Sequence, residues 1–320
     1  MQPLLIGDTE IRPGQNVSVN IPLPSLYTQA KVAMPVHVVQ GRRSGPRLFV
    51  CAAIHGDEIN GVEIIRRVVQ SRTLRHLQGT LLAIPVVNVY GFVRQQRYLP
   101  DRRDLNRCFP GSETGSLAAR LAFTFLREVV EKCTHGIDLH TGAIHRDNLP
   151  QIRATLDQDE QTESLARAFG APVILGSDLR DGSLRAEAAA RSIPLLVFEA
   201  GEALRFDELV IRAGVRGILR VMYTLGMIKR GRPRPREPEP VVARSSSWVR
   251  APQSGVLRML TPLGARVKKG GLLGVVSDAF RYDEEPILAP ASGVVIGRTN
   301  LPLVTEGEAL FHIARFGEPD

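Results

Sequence analysis

Cysteine is scarce and dispersed: Cys51, Cys108 and Cys133 are the only three in 320 residues. None forms a Cys-x-x-Cys pair, so neither a disulfide framework nor a thiolate zinc cluster is supported. Any metal must then be held by histidines and carboxylates. Long apolar runs are missing as well; none approaches the ~20 residues of a membrane helix. The opening Met1-Gln-Pro-Leu-Leu5 lacks the basic-then-apolar layout of a secretory signal. These absences lead us to expect a cytoplasmic protein with no membrane partner. Acidic residues fall short of basic ones, 33 against 41, which leaves a net charge of +8. Two explanations compete: a solvated basic surface, and attraction of a small anionic substrate. Nucleic acid is disfavoured. The densest basic stretch, Lys229 to Arg236, is broken by Pro233 and Pro235 and followed by Glu237 and Glu239. That composition reads as a linker.

What is present is an ordinary globular composition, 43% apolar and 23% charged. The length fits one domain of usual size plus a smaller one, and a homo-oligomer is compatible with it. From Arg47 to about Leu225, strand-like and helix-like segments alternate. Leu48-Phe-Val-Cys-Ala-Ala-Ile54 is a short apolar run, as expected of a strand buried on both faces. Ile59, Val62, Ile65 and Val69 follow at helical spacing. Leu81–Val87 and Gly136–His140 read as strands, and Ser116–Val130 as an amphipathic helix. Pro172–Leu175 and Pro194–Phe198 add two further strands. Alternation of this kind predicts an α/β domain with a mixed, largely parallel sheet flanked by helices. The first ~45 residues, with Val17, Val19, Ile21, Val36 and Val38, read as added β structure.

We expect the catalytic domain over 1–228, a Pro/Arg/Ser-rich linker over 229–247 and an all-β domain over 248–320. The last contains an internal repeat. Ala251-Pro-Gln-Ser-Gly255-Val-Leu recurs as Ala289-Pro-Ala-Ser-Gly293-Val-Val, and Val267-Lys-Lys-Gly270 recurs as Val304-Thr-Glu-Gly307. Two similar halves predict a small pseudo-symmetric β barrel-sandwich. The pattern resembles the biotinyl/lipoyl carrier fold. The hairpin that carries the modified lysine there falls here near Tyr282, without a lysine, so a scaffold is expected.

Three motifs carry chemistry. His55-Gly-Asp-Glu58 directly follows the first buried strand, and His140 ends another. In open parallel sheets, ligands bind beyond the carboxyl ends of strands. Two His and one Glu leave one tetrahedral position open, the arrangement of a catalytic zinc. Alone, His-x-x-Glu is a weak signal; the strand-end placement strengthens it. Asp104-Leu-Asn-Arg107 offers Asn106 and Arg107 side by side, suited to a carboxylate; the competing reading is a surface loop between Pro100 and Pro110. Glu199 ends the apolar run Leu195–Phe198, where lost solvation would suit a general base. The competing reading is an acid at a helix N-terminus.

Together these motifs resemble the succinylglutamate desuccinylase/aspartoacylase family, related to the zinc carboxypeptidases, over about Arg47 to Leu225. The resemblance implies a zinc carboxypeptidase-like fold and one zinc ion held by His55, Glu58 and His140. It implies Glu199 as the group that moves the proton, and Asn106 and Arg107 as the grip on a substrate carboxylate. Asp104 matches the acid that orients the first ligating histidine, with Asp138 as its rival. Arg97 is the best match for the arginine that polarises the scissile carbonyl, with Arg102 and Arg103 competing. Tyr282 is the candidate for a C-terminal residue over the site. The implied activity is deacylation of an N-acyl amino acid; the alternative is a metallocarboxypeptidase trimming short, acidic peptides.

Overall fold

The computed structural model describes residues 2–156, 159–229, 239–278, 280 and 284–316. Its centre is a large mixed sheet. Three strands at its heart run parallel in the order Leu195–Glu202, His135–Gly142, Arg43–Ala52, and Gln78–Ile84 continues in the same direction. Antiparallel Val32–Gln40 and Asn16–Leu23 extend that edge. The first forty residues are thus β structure, as their alternating valines and isoleucines predict.

Alternation along the central strands explains how both faces are covered. Phe49 and Cys51 point to one core together with Leu82 and Ile84; Leu48, Val50 and Ala52 point to the other with Leu81 and Ala83. Both sets are apolar, so each face needs its own helical layer. Helices Leu117–Glu128 and Leu184–Ala190 cover the first face; Asn60–Val69, Glu160–Phe169 and Glu208–Thr224 cover the second. Ser116 caps Leu117–Glu128 by accepting from the Ala119 amide, which explains why the helix begins one residue after it.

One strand was not anticipated. Arg146–Ala154 lies antiparallel beside Leu195–Glu202. Its other edge takes Gly293–Thr299 antiparallel and Val173–Gly176 parallel. The C-terminal β structure is therefore continuous with the main sheet: Ala309–Arg315 pairs Gly293–Thr299, and Ser246–Arg250 pairs Ala309–Arg315. Part of the expected linker is strand as well, since Val241–Ala243 pairs parallel with Val173–Gly176.

The repeat has a structural counterpart. Gly255 sits opposite Val304, and Gly293 sits opposite Val267. Each half's first strand thus pairs with the other half's second, as two related halves exchanging equivalent contacts would do. The hairpin expected to present Tyr282 lies outside the described residues. Among the described residues, no helix is long and apolar enough to cross a membrane, and all three cysteines are free.

Close approach fixes residue size where helix Glu208–Thr224 meets the sheet. A Cβ on Gly217 would lie 2.2 Å from the Phe169 ring, which is itself 4.9 Å from the ring of Phe198. Gly217→Ala gains helix propensity worth ~1 kcal/mol but overpacks a filled core, which costs ~1–3 kcal/mol. The expected outcome is net destabilisation, read as a lower urea midpoint with unchanged slope. A midpoint at or above wild type would show that Phe169 moves aside freely.

Candidate active site

The parallel strands end on one side of the sheet, and the candidate residues collect there. Ala53 adopts left-handed backbone (φ 50°) just after Arg43–Ala52, turning the chain so that His55 to Glu58 lie across the strand ends. Gly56 is compelled by packing: a Cβ there would meet the Gly91 backbone at 2.0 Å. In the neighbouring strand His140 is register partner of Glu199, which places both side chains on the same face of adjacent strands.

Glu58, 2% exposed, joins the two histidines. His55 Nδ1 donates to its Oε1 at 2.7 Å and His140 Nδ1 to its Oε2 at 2.8 Å. The Thr141 amide donates to Oε2 at 3.0 Å. The far nitrogens are held too: His55 Nε2 by Asp104 at 3.1 Å and His140 Nε2 by Asp138 at 2.8 Å. The two acids that compete for one place in the sequence therefore each orient a different histidine. Cys51 supports Asp138, its Sγ donating at 3.3 Å. Arg97 completes the cluster, donating to Asp104 Oδ2 at 2.9 Å and to Glu58 Oε1 at 3.3 Å. Arg102 and Arg103 both lie outside the cleft lining, Arg102 in left-handed backbone.

The electrostatics follow from this arrangement. Burial opposes ionisation of Glu58, but His55 and His140 outweigh it and hold the carboxyl well below its usual range. Asp104 behaves likewise: burial raises it, while His55 and Arg97 bring it down further. Burial lowers His55 and His140, yet their carboxylate neighbours leave both raised. A carboxylate only accepts, so each imidazole nitrogen facing one must carry a proton or a cation. The donor atoms of His55, Glu58 and His140 lie within 4.8 Å of one another and could hold a metal ion. His55, Glu58 and His140 would hold such a cation in place of protons, with Asp104 and Asp138 orienting the rings from behind.

Glu199 is less buried than its apolar strand predicts, because Asn148 and Arg153 face it with solvent nearby. Asn148 Nδ2 donates to Oε2 at 2.9 Å, and Arg153 Nε lies 3.5 Å from Oε1. Asn148 and Arg153 have opposite parity along their strand. The pairing with Leu195–Glu202 slips between Glu199 and Gly201, and that slip brings both to one carboxylate. Asn106 lies in the short 3-10 turn Leu105–Arg107, its Oδ1 accepting from the Leu184 amide at 2.9 Å. Arg107 is exposed on the rim, with Nη1 donating to the Asn106 carbonyl at 2.5 Å.

His55, Glu58, Arg97, Asn106, Arg107, His140, Asn148, Arg153 and Glu199 all line one cleft of about 1130 Å3. Residues that sequence reasoning missed line it too. Arg185 is pinned by the Ser177 hydroxyl at 2.7 Å and by the Asp178 carbonyl; burial first, then Arg153 and Arg180, lower it to about 10. From the C-terminal segment come Trp248 and His312, stacked at 4.4 Å with 6° between their planes. Arg146 lies over the Trp248 ring at 5.1 Å. Trp248 and His312 lie well beyond the last of the motifs, and nothing in their local sequence marks them. The one available signal was the polar stretch Arg146-Asp-Asn148, which departs from the apolar texture of its neighbours.

Comparison with known proteins agrees with this architecture. The model of the succinylglutamate desuccinylase/aspartoacylase catalytic domain matches residues 44–225. The N-alpha-acetyl-L-2,4-diaminobutyric acid deacetylase of Halomonas elongata is 28% identical over 300 residues, covering 90% of this chain and 87% of the relative. A succinylglutamate desuccinylase/aspartoacylase structure from Rhodobacter sphaeroides superposes with a TM-score of 0.81 at 26% identity, over 94% of this chain and 96% of that one. The product-bound ectoine utilization protein EutE (DoeB) from Ruegeria pomeroyi gives 0.83 at 24% identity, over 98% of each chain, and speaks to fold alone. Fold and relatives together define an amide-cleaving hydrolase. The chain belongs to the succinylglutamate desuccinylase/aspartoacylase family.

His312 offers a test of the cleft's electrostatics. Burial, then the Arg153 charge, push its pKa down to about 3. A depressed pKa means the folded state favours the neutral ring. The associated stability is complete above the unfolded value near 6.5 and is lost as pH falls towards 3. His312→Gln should therefore flatten the decline of unfolding free energy between these limits. An unchanged pH slope in that variant would place the imidazole in contact with water.

Proposed function

We propose that this protein is a zinc-dependent deacylase that hydrolyses the amide of an N-acyl amino acid bearing a free carboxylate. The observation that carries the reading is Glu199 standing in register beside His140, in the same cleft as the His55–Glu58–His140 group. Two imidazoles and a carboxylate, each ring backed by an acid, form a donor set suited to zinc. When bound, zinc would supply Lewis acidity, making a water acidic and polarising a carbonyl.

The chain's own residues account for the remaining steps. Glu199 accepts a proton from the attacking water and returns it to the departing nitrogen. Asn148, by holding Oε2, leaves Oε1 as the working oxygen beside Arg153. Arg97 brings a fixed positive charge against the side where the carbonyl oxygen gains negative charge. Asn106 and Arg107 receive the substrate carboxylate. The Asn106 Oδ1 is already engaged by Leu184, so its Nδ2 faces the substrate. The wall formed by Trp248 and His312 narrows the cleft towards small substrates, and the length-wide likeness to a deacetylase favours deacylation over peptide trimming. We further assign residues 1–228 to a zinc carboxypeptidase-like catalytic unit. Residues 248–320 form a barrel-sandwich scaffold, and 229–247 join the two.

The ligand and base roles separate experimentally. His55→Ala and His140→Ala should each lose bound zinc, because two remaining ligands rarely retain it. Glu199→Gln should keep zinc at wild-type occupancy and lose turnover by about 10²–10⁴-fold. Elemental analysis beside a steady-state assay on N-acetyl and N-succinyl amino acids reads both. Full zinc occupancy in either histidine variant refutes the ligand assignment; near-normal turnover in Glu199→Gln refutes the base.

The carboxylate grip has its own test. Arg107 is exposed, so its charge-assisted bond is worth the lower end of ~1.5–3 kcal/mol, about tenfold in kcat/KM. Replacing the substrate carboxylate by a carboxamide should cost that factor in wild type and nothing further in Arg107→Ala. Equal turnover of acid and amide by wild type would return Asn106 and Arg107 to the role of a surface loop.

A further inference from the structure

A second cleft, of about 780 Å3, opens at the opposite end of the sheet. Arg43 and Gln78, which begin two of the parallel strands, help to line it. The strand Arg43–Ala52 is ten residues long, so the cleft lies on the order of 30 Å from the active-site end. Its lining includes Arg42, Arg43, Arg72, Arg75, His76 and Lys229, and no acidic residue among the described residues.

Several helical arginines elsewhere on this surface are matched with acids. On the helix just before Arg72, Arg66 and Arg67 both bind Glu63, and Arg67 also binds Glu208. Arg167, Arg191 and Arg212 each have a partner within one helical turn. None of the five permanent cations around the second cleft forms a salt bridge among the described residues. Like charges gathered in a concavity focus a positive potential and raise the local concentration of anions. The second observation is Gln40, 2% exposed and lining the same cleft. Its Nε2 donates to the Gln2 carbonyl at 2.9 Å, while its Oε1 is buried without a partner. An unmade buried hydrogen bond costs ~1–3 kcal/mol, so that oxygen calls for a donor.

We propose that this cleft binds a compact polyphosphate anion such as pyrophosphate. Four guanidinium groups offer paired planar donors to phosphate oxygens. Five fixed positive charges match a ligand that concentrates three or more negative charges in a small volume, which a dicarboxylate does not. A protonated phosphate oxygen supplies the donor that Gln40 lacks. The cavity falls in the ~300–1,000 Å3 range of small-molecule sites. Among the described residues no Phe, Tyr or Trp lines it, and single-stranded nucleic acid relies on such rings for stacking.

The test is calorimetric titration of the full chain with sodium pyrophosphate, ionic strength held at roughly 0.15 M so that simple screening stays constant. Saturable binding with one site per chain is expected. Arg72→Ala and Arg75→Ala, both at exposed positions, should each weaken it by about tenfold. Gln40→Leu should weaken it too, with unchanged thermal melting to show that the fold is intact. Arg212→Ala, which removes a cation paired with Glu208, should leave it unchanged. Non-saturating heats, equal weakening in Arg212→Ala, or tighter binding of a single-stranded oligonucleotide than of pyrophosphate would each overturn the assignment.

Discussion

Glu58 bridging two imidazoles is the interaction on which the rest of the site depends. Its carboxylate is almost completely buried, and a charge so placed is tolerated only when neighbouring groups compensate it. His55 and His140 compensate it from two sides, and Arg97 from a third. Each compensating group needs its own support, which is why Asp104 stands behind His55 and Asp138 behind His140. The network holds strand ends from separate parts of the sheet in fixed relation. Removing any acid leaves an imidazole nitrogen without its acceptor; removing any histidine leaves carboxylates facing one another. A cation among the three inner donors answers the same demand with one centre in place of two protons.

The parallel core and its motifs were legible because two independent patterns coincide there. Apolar runs bounded by turns mark strands buried on both faces, and His55, His140 and Glu199 stand at or just after the ends of such runs. Strand ends were underestimated: Arg43–Ala52 starts earlier than Leu48, and Leu195–Glu202 continues past Phe198. Polar residues there pair as backbone without announcing it by hydrophobicity. Arg146–Ala154 was invisible for a similar reason. It carries Arg146, Asp147, Asn148, Gln151 and Arg153, with Pro150 inside, a composition that opposes a strand reading. It is nevertheless central, because its polar side chains serve the cleft. The exposure of Arg107 was equally out of reach, since a rim position and a buried one have the same local sequence.

Charge was read as a bulk property, and the structure shows where it goes. Several helical arginines are neutralised by acids three or four residues away, a pattern that stabilises helices modestly. Positive charge also gathers in two clefts. In the active-site cleft it surrounds Glu199 with Arg153 and, further out, Arg180 and Arg185. An anion entering between those guanidinium groups would relieve their mutual repulsion.

The C-terminal repeat shows how a symmetric unit serves an asymmetric purpose. Its two halves exchange matching contacts, Gly255 with Val304 and Gly293 with Val267. Only the second half's strand Gly293–Thr299 also bonds to Arg146–Ala154; the corresponding Gly255–Met259 stays in its own small sheet. That single attachment extends the main sheet through Ala309–Arg315 to Ser246–Arg250, and so delivers His312 and Trp248 to the cleft. Register decides which residues arrive: His312 lies opposite Trp248, and their stacked rings form one rigid wall. A slip of one residue would turn both rings to the other face and open the cleft beside Arg153. Strand register in the C-terminal β structure therefore shapes the cleft.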